Sequence, residues 1–477
     1  MHQQPKNPKC RTGSWFRTPN YPTAPIPTTG LPPGIPYIIG NEAAERFSFY
    51  GMRAILVIFM TQYLLSPDGH ASPMAESEAK FYYHVFNAGV YFFPILGALL
   101  ADILWGKYAT ILALSLVYCL GHVALAWDET RLGLFAGLAL ISLGSGGIKS
   151  CVSAHVGDQF GRQNHHRLSE VFSWFYLAIN LGAAGSTLLT PTLLRRYGPG
   201  LAFAVPGLLM GLATLVFFMG RARFAHIPPG RRKFIRDLTG GDGIKAVFRL
   251  IPLYLFVAMF WALFDQSGSA WVLQAERMDR RWLGWEWDSS QIQAVNPLLI
   301  LVLVPAFTYG VYPICQRFFD FTPLRRIGTG LVLAGLSFSL PAVAEQMIQA
   351  GGRPGIEWQL AAYGIITSAE ILVSITCLEF SYTQAPPTMK SLVMGLYLLS
   401  VSLGNVFTAV VNQAIRLTGA DQPGAILAGA GYYWLFTICM LAVAASFVPV
   451  ATFYRGRTYL QDETTTNPTG DDGSRQR

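Results

Sequence analysis

Read along its length, the chain alternates apolar runs with short polar connections, and each run is about long enough to cross a bilayer as a helix, which takes about 20 residues. Twelve such runs stand out. The first six cover approximately 37–65, 80–103, 108–126, 132–155, 169–193 and 200–219; the other six cover 247–275, 290–313, 327–348, 357–385, 389–416 and 430–454. The longest connection, RARFAHIPPGRRKFIRDLTGGDGIKA, is basic and broken by Pro-Pro-Gly and Gly-Gly. It divides the pattern into an N-terminal six-helix bundle (37–219), a linker (220–246) and a C-terminal six-helix bundle (247–454). Residues 1–36, Pro-rich and polar without the apolar core of a signal peptide, read as a disordered tail, and 455–477 as a second tail.

Of the 477 residues, 52% are hydrophobic and only 13% are charged, about half the charge of an average soluble protein. That excludes a disordered chain and points to an all-α integral membrane protein. The formal charge of +8 would suit nucleic acid if the basic residues shared a soluble face, but they fall in short loops. Their distribution orients the chain instead. On the side holding both termini lie 23 of the 35 lysines and arginines, on the other side 9, and Arg46, Arg53 and Lys149 lie within spans. Positive loops stay inside, so both termini and the linker are expected to be cytoplasmic. The six cysteines have neither CxxC nor metal-type spacing, so no disulfide framework and no metal site are expected. GALLADILWGKYATI after the second run is echoed by CQRFFDFTPLRRIGTG after the eighth, and two six-helix repeats favour a transporter over a channel subunit or sensor.

Charged side chains at membrane depth cost about 2.5–3.5 kcal/mol each on insertion scales, so they face a protein interior or a water-filled cavity. The first run holds Glu42, Glu45, Arg46 and Arg53, which the helical period places on one stripe with Phe49. The second holds His84, with Asn87 and Tyr91 further along; an imidazole there can sense or carry a proton. The fourth holds Lys149 in GSGGIKS, whose small residues permit close helix approach. The fifth carries Tyr176 and Asn180 on one face, and the seventh Trp261, Asp265 and Gln266, where the carboxylate is a candidate proton acceptor. Gln293 and Asn296 open the eighth. The tenth carries Glu370 and Glu379, nine residues apart and so on roughly opposite faces, only one of which can line a central cavity.

The constellation has a chemical logic. Arg46 and Lys149 offer cations to a carboxylate, Glu379 offers an anion to an ammonium, and Asn180 and Asn296 can bond backbone amides. Tyr50, Tyr91, Tyr176 and Trp261 supply aromatic walls, so a short zwitterionic ligand fits. No Ser/His/Asp order, HExxH, Walker loop or dinucleotide fingerprint points to an enzyme.

Those segments resemble the proton-dependent oligopeptide transporter family of the major facilitator superfamily, over most of residues 37–454. NEAAERFSFYGMRAIL looks like its ExxERFxYYG signature, and GALLADILWGKY, LGSGGIKSCVSAHVGDQF, FYLAINLG, FWALFDQSGSAWVLQA, QIQAVNPLL and LEFSYTQAPPTMKS follow in family order. The resemblance implies a major facilitator fold of 12 transmembrane helices in two six-helix bundles. It also implies a symporter importing di- and tripeptides with protons by alternating access. Glu42, Glu45, His84 and Asp265 would couple protons. Arg46, Tyr50, Arg53, Tyr91, Lys149, Tyr176, Asn180, Trp261, Asn296 and Glu379 would bind substrate, with Arg46 and Lys149 on the peptide carboxylate and Glu379 on the amino terminus. No cofactor beyond the coupling proton, no metal and no nucleic-acid partner is implied, and the expected unit is a monomer in membrane lipid.

Three positions depart from the family pattern: Phe49 replaces the first tyrosine of the usual pair, Tyr397 a tryptophan, and Thr308 the aspartate that would pair with Arg249. The competing readings are a family relative carrying another small solute, such as nitrate or a conjugated metabolite, and a peptide sensor that does not transport. Modest size and the short connection between the ninth and tenth runs suggest a bacterial inner membrane.

Overall fold

The structure, a computed structural model, describes residues 21–229, 241–384, 390–422 and 424–453. Residues 1–20 of the expected N-terminal tail, 230–240 of the linker and the whole expected C-terminal tail, 455–477, lie outside the described residues.

Among the described residues, twelve long helical segments follow one another. α1 (Ile35–Ile58) runs on through a π turn, Phe59–Tyr63, and α2 (Glu76–Leu100) through another, Ala101–Trp105. α3 (Lys107–Trp127), α4 (Arg131–Gly157), α5 (Leu168–Tyr197) and α6 (Pro199–Met219) complete the first half. α7 (Gly241–Phe264) breaks into a 3-10 turn, Asp265–Gly268, and resumes over Ala270–Ala275. α8 (Val295–Ala306) is entered through a 3-10 turn, Ser289–Ala294, and continued by Phe307–Val311 and Tyr312–Phe318. α9 is Pro323–Gln349. α10 (Glu357–Glu370) passes through a π turn, Ile371–Ile375, to Thr376–Gln384. α11 (Lys390–Thr418) and α12 (Ala430–Phe453) close the order. A two-stranded hairpin, β1 (Arg281–Trp282) with β2 (Trp285–Glu286), joins α7 to α8.

Among the described residues, eleven of these helices are long and apolar enough to cross a membrane. α1 differs because it holds Glu42, Glu45, Arg46 and Arg53, and it lies packed against α5 and α6. Leucines and valines point outward, with Leu208 72% and Val302 66% exposed, as expected where lipid rather than water covers the surface. Each half has its own apolar core, one built on Ile38, Phe59, Tyr118 and Phe203, the other on Phe260, Phe338, Tyr363 and Phe436. Close packing within the first half relies on glycine. A Cβ on Gly97 of α2 would collide with the backbone of Gly147 in α4, so these helices meet backbone to backbone.

The halves meet along α2 with α11 and α5 with α8. Their polar links gather at one end, where α1 finishes and α2 begins. There Gln62 bonds Glu276 (3.1 Å), Arg195 pairs with Asp288 (2.8 Å), Gln291 bonds the Leu188 carbonyl (2.8 Å) and Gln293 that of Ala54 (3.0 Å). Arg416 of α11 lies 3.5 Å from Glu78 of α2, which Arg131 also holds at 2.7 Å. Midway, Ser402 donates to the Ala88 carbonyl (2.8 Å). Toward the opposite end, marked by the Lys107–Asp158 pair at 2.6 Å inside the first half, no ion pair or hydrogen bond joins the halves among the described residues. Among the described residues, the links that seal the halves together therefore lie at one end.

The expectation of a disordered tail over 1–36 differs from the structure at 21–36. Tyr21 stacks on His226 with ring centroids 4.4 Å apart, the His226 amide donates to the Pro22 carbonyl (2.7 Å), and Asn164 donates to that of Gly30 (3.3 Å). α1 itself begins at Ile35. Prolines fix their own backbone torsion, so this segment loses little entropy on docking.

Candidate functional site

α1 presents its charges one turn apart. Arg46 Nε donates to Glu42 Oε1 at 2.6 Å and lies 3.2 Å from Glu45 Oε2, while Glu45 Oε1 accepts from Ser145 of α4 at 2.8 Å. Both carboxylates are 1% exposed. The structure divides the mixed-sign stripe read from the spacing: Glu42, Glu45 and Arg46 form one buried cluster in which a single guanidinium serves two carboxylates, and Arg53 lies apart from it. Lys149 stands beside it on α4 and has no such partner. Its Nζ is buried without a hydrogen bond and lies 4.1 Å from the ring centre of Phe49 and 4.4 Å from that of Tyr91. Ring faces attract a cation but leave its hydrogen-bond donors unused. Tyr50 packs edge-on against Phe49 at 5.4 Å.

A second group ties the halves together through buried atoms. Arg53 of α1 donates to Asp265 Oδ1 at the break in α7 (2.6 Å) and to the Tyr83 hydroxyl (2.7 Å). Asp265 Oδ2 accepts from Asn405 of α11 (2.6 Å), whose Oδ1 meets His84 Nδ1 of α2 (2.7 Å), and His84 Nε2 meets the Ser269 hydroxyl (3.0 Å). With its NH2 donating to Asp265, Asn405 presents an acceptor to His84, so the proton of the neutral imidazole belongs on Nδ1. Nε2 then accepts from Ser269, and a second proton there would turn that bond around. The 3-10 turn after Phe264 makes this chain possible. It redirects α7 at Asp265, and Gly268 leaves room for Tyr83, whose hydroxyl a Cβ would strike.

The third group belongs to the second half. Asn296 Nδ2 at the start of α8 donates to Glu370 Oε2 (2.8 Å) and Thr367 (3.1 Å) of α10. Glu370 is within electrostatic reach of Tyr50, Tyr176, Arg53 and Asp265, so it faces the first half. Tyr176 remains 41% exposed in this company. Trp261 is 8% exposed, its indole N–H without a partner, and Asn180 is buried and donates to the Tyr176 carbonyl (2.9 Å).

The structure therefore brings together Glu42, Glu45, Arg46, Tyr50, Tyr91 and Lys149, and separately Arg53, His84 and Asp265. It does not bring Glu379 to Asn296. Glu379 is exposed on the far side of the π turn, near Tyr312, and Glu370 holds the place expected for it. The reason is packing: the face of α10 that meets α8 carries Thr367 and Glu370. The sequence reading also missed Asn405, Tyr83, Ser145 and Ser269. Asn405 sits in the apolar run SVSLGNVF, so the test that singled out Asn180 would have found it. At the departures, Thr308 donates to the Val304 carbonyl of its own helix (2.8 Å), and Tyr397 bonds Ser374 (2.7 Å).

Comparison with known proteins follows the same lines. The family model described as POT family matches residues 108–240 and 231–435. Solute carrier family 15 member 2 of Homo sapiens is 37% identical over 396 residues, covering 71% of this chain and 53% of that protein. Peptide transporter family 1 of Drosophila melanogaster is 38% identical over 372 residues, covering 68% and 49%. The chain spans about half the length of the curated relatives it matches. Among solved structures, an auto-inhibited POT family peptide transporter superposes with a TM-score of 0.81 at 34% identity, covering 89% of this chain and 98% of the other. These relatives are transporters, and the chain shares their multi-pass membrane architecture.

Proposed function

The chain belongs to the proton-dependent oligopeptide transporter (POT) family, and on that premise we propose that it imports di- and tripeptides together with protons by alternating access. In this reading all twelve helices span a cell membrane, both termini are cytoplasmic, the unit is a monomer, no enzymatic step is involved and the proton is the only coupling species. The excess of basic residues on the linker side supports the orientation, which makes the sealed end external and the opposite end cytoplasmic. The short connection between α9 and α10 favours a bacterial inner membrane, although the two curated relatives named above are animal proteins.

Lys149 carries the proposal. A buried ammonium with no hydrogen bond lacks an anion, and the carboxylate of a peptide entering beside Arg46 supplies one. Glu370, held by Asn296 on the opposite half, then receives the peptide's amino terminus, the role expected of Glu379. A ligand that bridges the two halves favours the arrangement in which both of its ends are held. Protons act on the same equilibrium. Protonating Glu42 or Glu45 loosens the hold on Arg46, and protonating Asp265 or His84 weakens the chain that seals the external end. Coupling requires only that proton and peptide favour the same state.

Uptake of labelled dialanine into proteoliposomes, acidic outside and negative inside, tests the reading. Accumulation that collapses with a protonophore is expected. Accumulation of nitrate in place of dialanine would transfer the assignment to another solute, and dialanine binding without counterflow would make the protein a sensor.

A further inference from the structure

At the sealed end a cavity of about 290 Å³ lies between the halves, apart from the three groups described above. That is close to the lower end of the range for small-ligand sites. One wall is the start of α2, with Glu76 and Lys80; the other comes from α7, α9, α11, α12 and the loop between the last two, with Arg277, Glu345, Asp421 and Tyr432. Two of these charges answer each other. Arg277 Nη1 lies 2.9 Å from Glu345 Oε1, and the buried Glu345 also accepts from Gln274 at 2.8 Å. Lys80 has no equivalent. Its Nζ rests 4.0 Å from the ring centre of Tyr432 and, among the described residues, has no hydrogen bond or ion pair. Glu76 and Asp421 stand exposed at the mouth.

We propose that this cavity is a second ligand site, for a small zwitterion such as a free amino acid. The ligand's carboxylate lies between Lys80 and Arg277, and its ammonium faces Glu76 and Asp421. Lys80 belongs to the first half and Arg277 to the second, so the ligand bridges them and its two-sided site exists only while this end is closed. Binding therefore holds the sealed arrangement. In the transporter proposed above, on which this consequence rests, it slows the return of the empty site to the outside and lowers the maximal rate without competing for the peptide site.

The probe is L-alanine, a zwitterion without a peptide bond, and the protein is the full chain in nanodiscs. Millimolar alanine raises the thermal unfolding midpoint, and the rise disappears in Lys80→Met, which keeps the aliphatic stem. It survives in Lys80→Arg and is several-fold weaker in Glu76→Gln, a change at the exposed mouth where folding is not at stake. In proteoliposomes, alanine lowers the maximal rate of dialanine uptake at constant KM, and Lys80→Met relieves this relative to its own alanine-free rate. No midpoint rise in the wild type overturns the site, as does an equal rise in Lys80→Met and Glu76→Gln. Competitive inhibition that persists in Lys80→Met assigns alanine to the central site and overturns it too. If dialanine is not taken up, the transport reading fails while the thermal measurement still decides the cavity.

Discussion

Replacing Asn405 with leucine keeps the size of the side chain but removes the amide that joins Asp265 to His84. Two buried atoms lose a partner: Asp265 Oδ2, now bonded at 2.6 Å, and His84 Nδ1, at 2.7 Å. A buried polar group left unsatisfied costs about 1–3 kcal/mol, so the pair costs about 2–6 kcal/mol. The lower figure is the better guide, because Asp265 keeps Arg53 at 2.6 Å. The cost falls on the sealed arrangement alone, since water reaches both groups once the halves part at this end. At about 1.4 kcal/mol per tenfold, 2 kcal/mol shifts the equilibrium about 30-fold toward opening. Ala294, 2% exposed where the entry to α8 packs on α1, reports this as a cysteine in an otherwise cysteine-free chain. Its labelling by a membrane-impermeant maleimide should accelerate about 30-fold in Asn405→Leu. Asn412→Leu is the control, because that amide bonds Thr408 and Tyr432 within the second half. An unchanged rate in Asn405→Leu, or an equal rise in the control, refutes the view that this amide seals the halves.

Lys149→Ala should abolish proton-driven dialanine uptake, and wild-type rates in that variant would sink the proposed function. Glu370→Gln should lower uptake about tenfold or more, the loss expected when a charge-assisted contact of about 1.5 kcal/mol goes, whereas Glu379→Gln stays near wild type; the reverse order restores Glu379 to the site. Gly97→Val forces α2 from α4 at an overpacking cost of about 1–3 kcal/mol, read as a lower unfolding midpoint. Gly40→Ala, where a Cβ meets nothing, leaves it unchanged. Burial holds His226 below its ordinary 6.5, so the docked segment disfavours the charged imidazole and the released one takes up more protons. Docking of 21–34 therefore weakens as pH falls through about 6.5, visible as faster amide exchange there at pH 5.5 than at 7.5; slower exchange would reverse the sign.

Much of this protein is decided locally. Twelve apolar runs call for twelve helices, because in lipid a helix satisfies its own backbone groups, and the stripe from Glu42 to Arg53 follows from the helical period. Glycines at 97 and 147 allow close approach whatever the partner turns out to be. Which faces meet is a different matter. The period puts Glu370 and Glu379 on opposite faces without saying which face turns inward, and only the packing of α10 on α8 places Glu370 beside Asn296. The chain Arg53–Asp265–Asn405–His84 draws on α1, α7, α11 and α2, residues up to 352 positions apart, and no local rule pairs them. The docked Tyr21 and the cavity at Lys80 likewise exist only where separate elements converge. Helix formation is set by neighbours in the chain, whereas a buried charge can be placed only once every group around it is known.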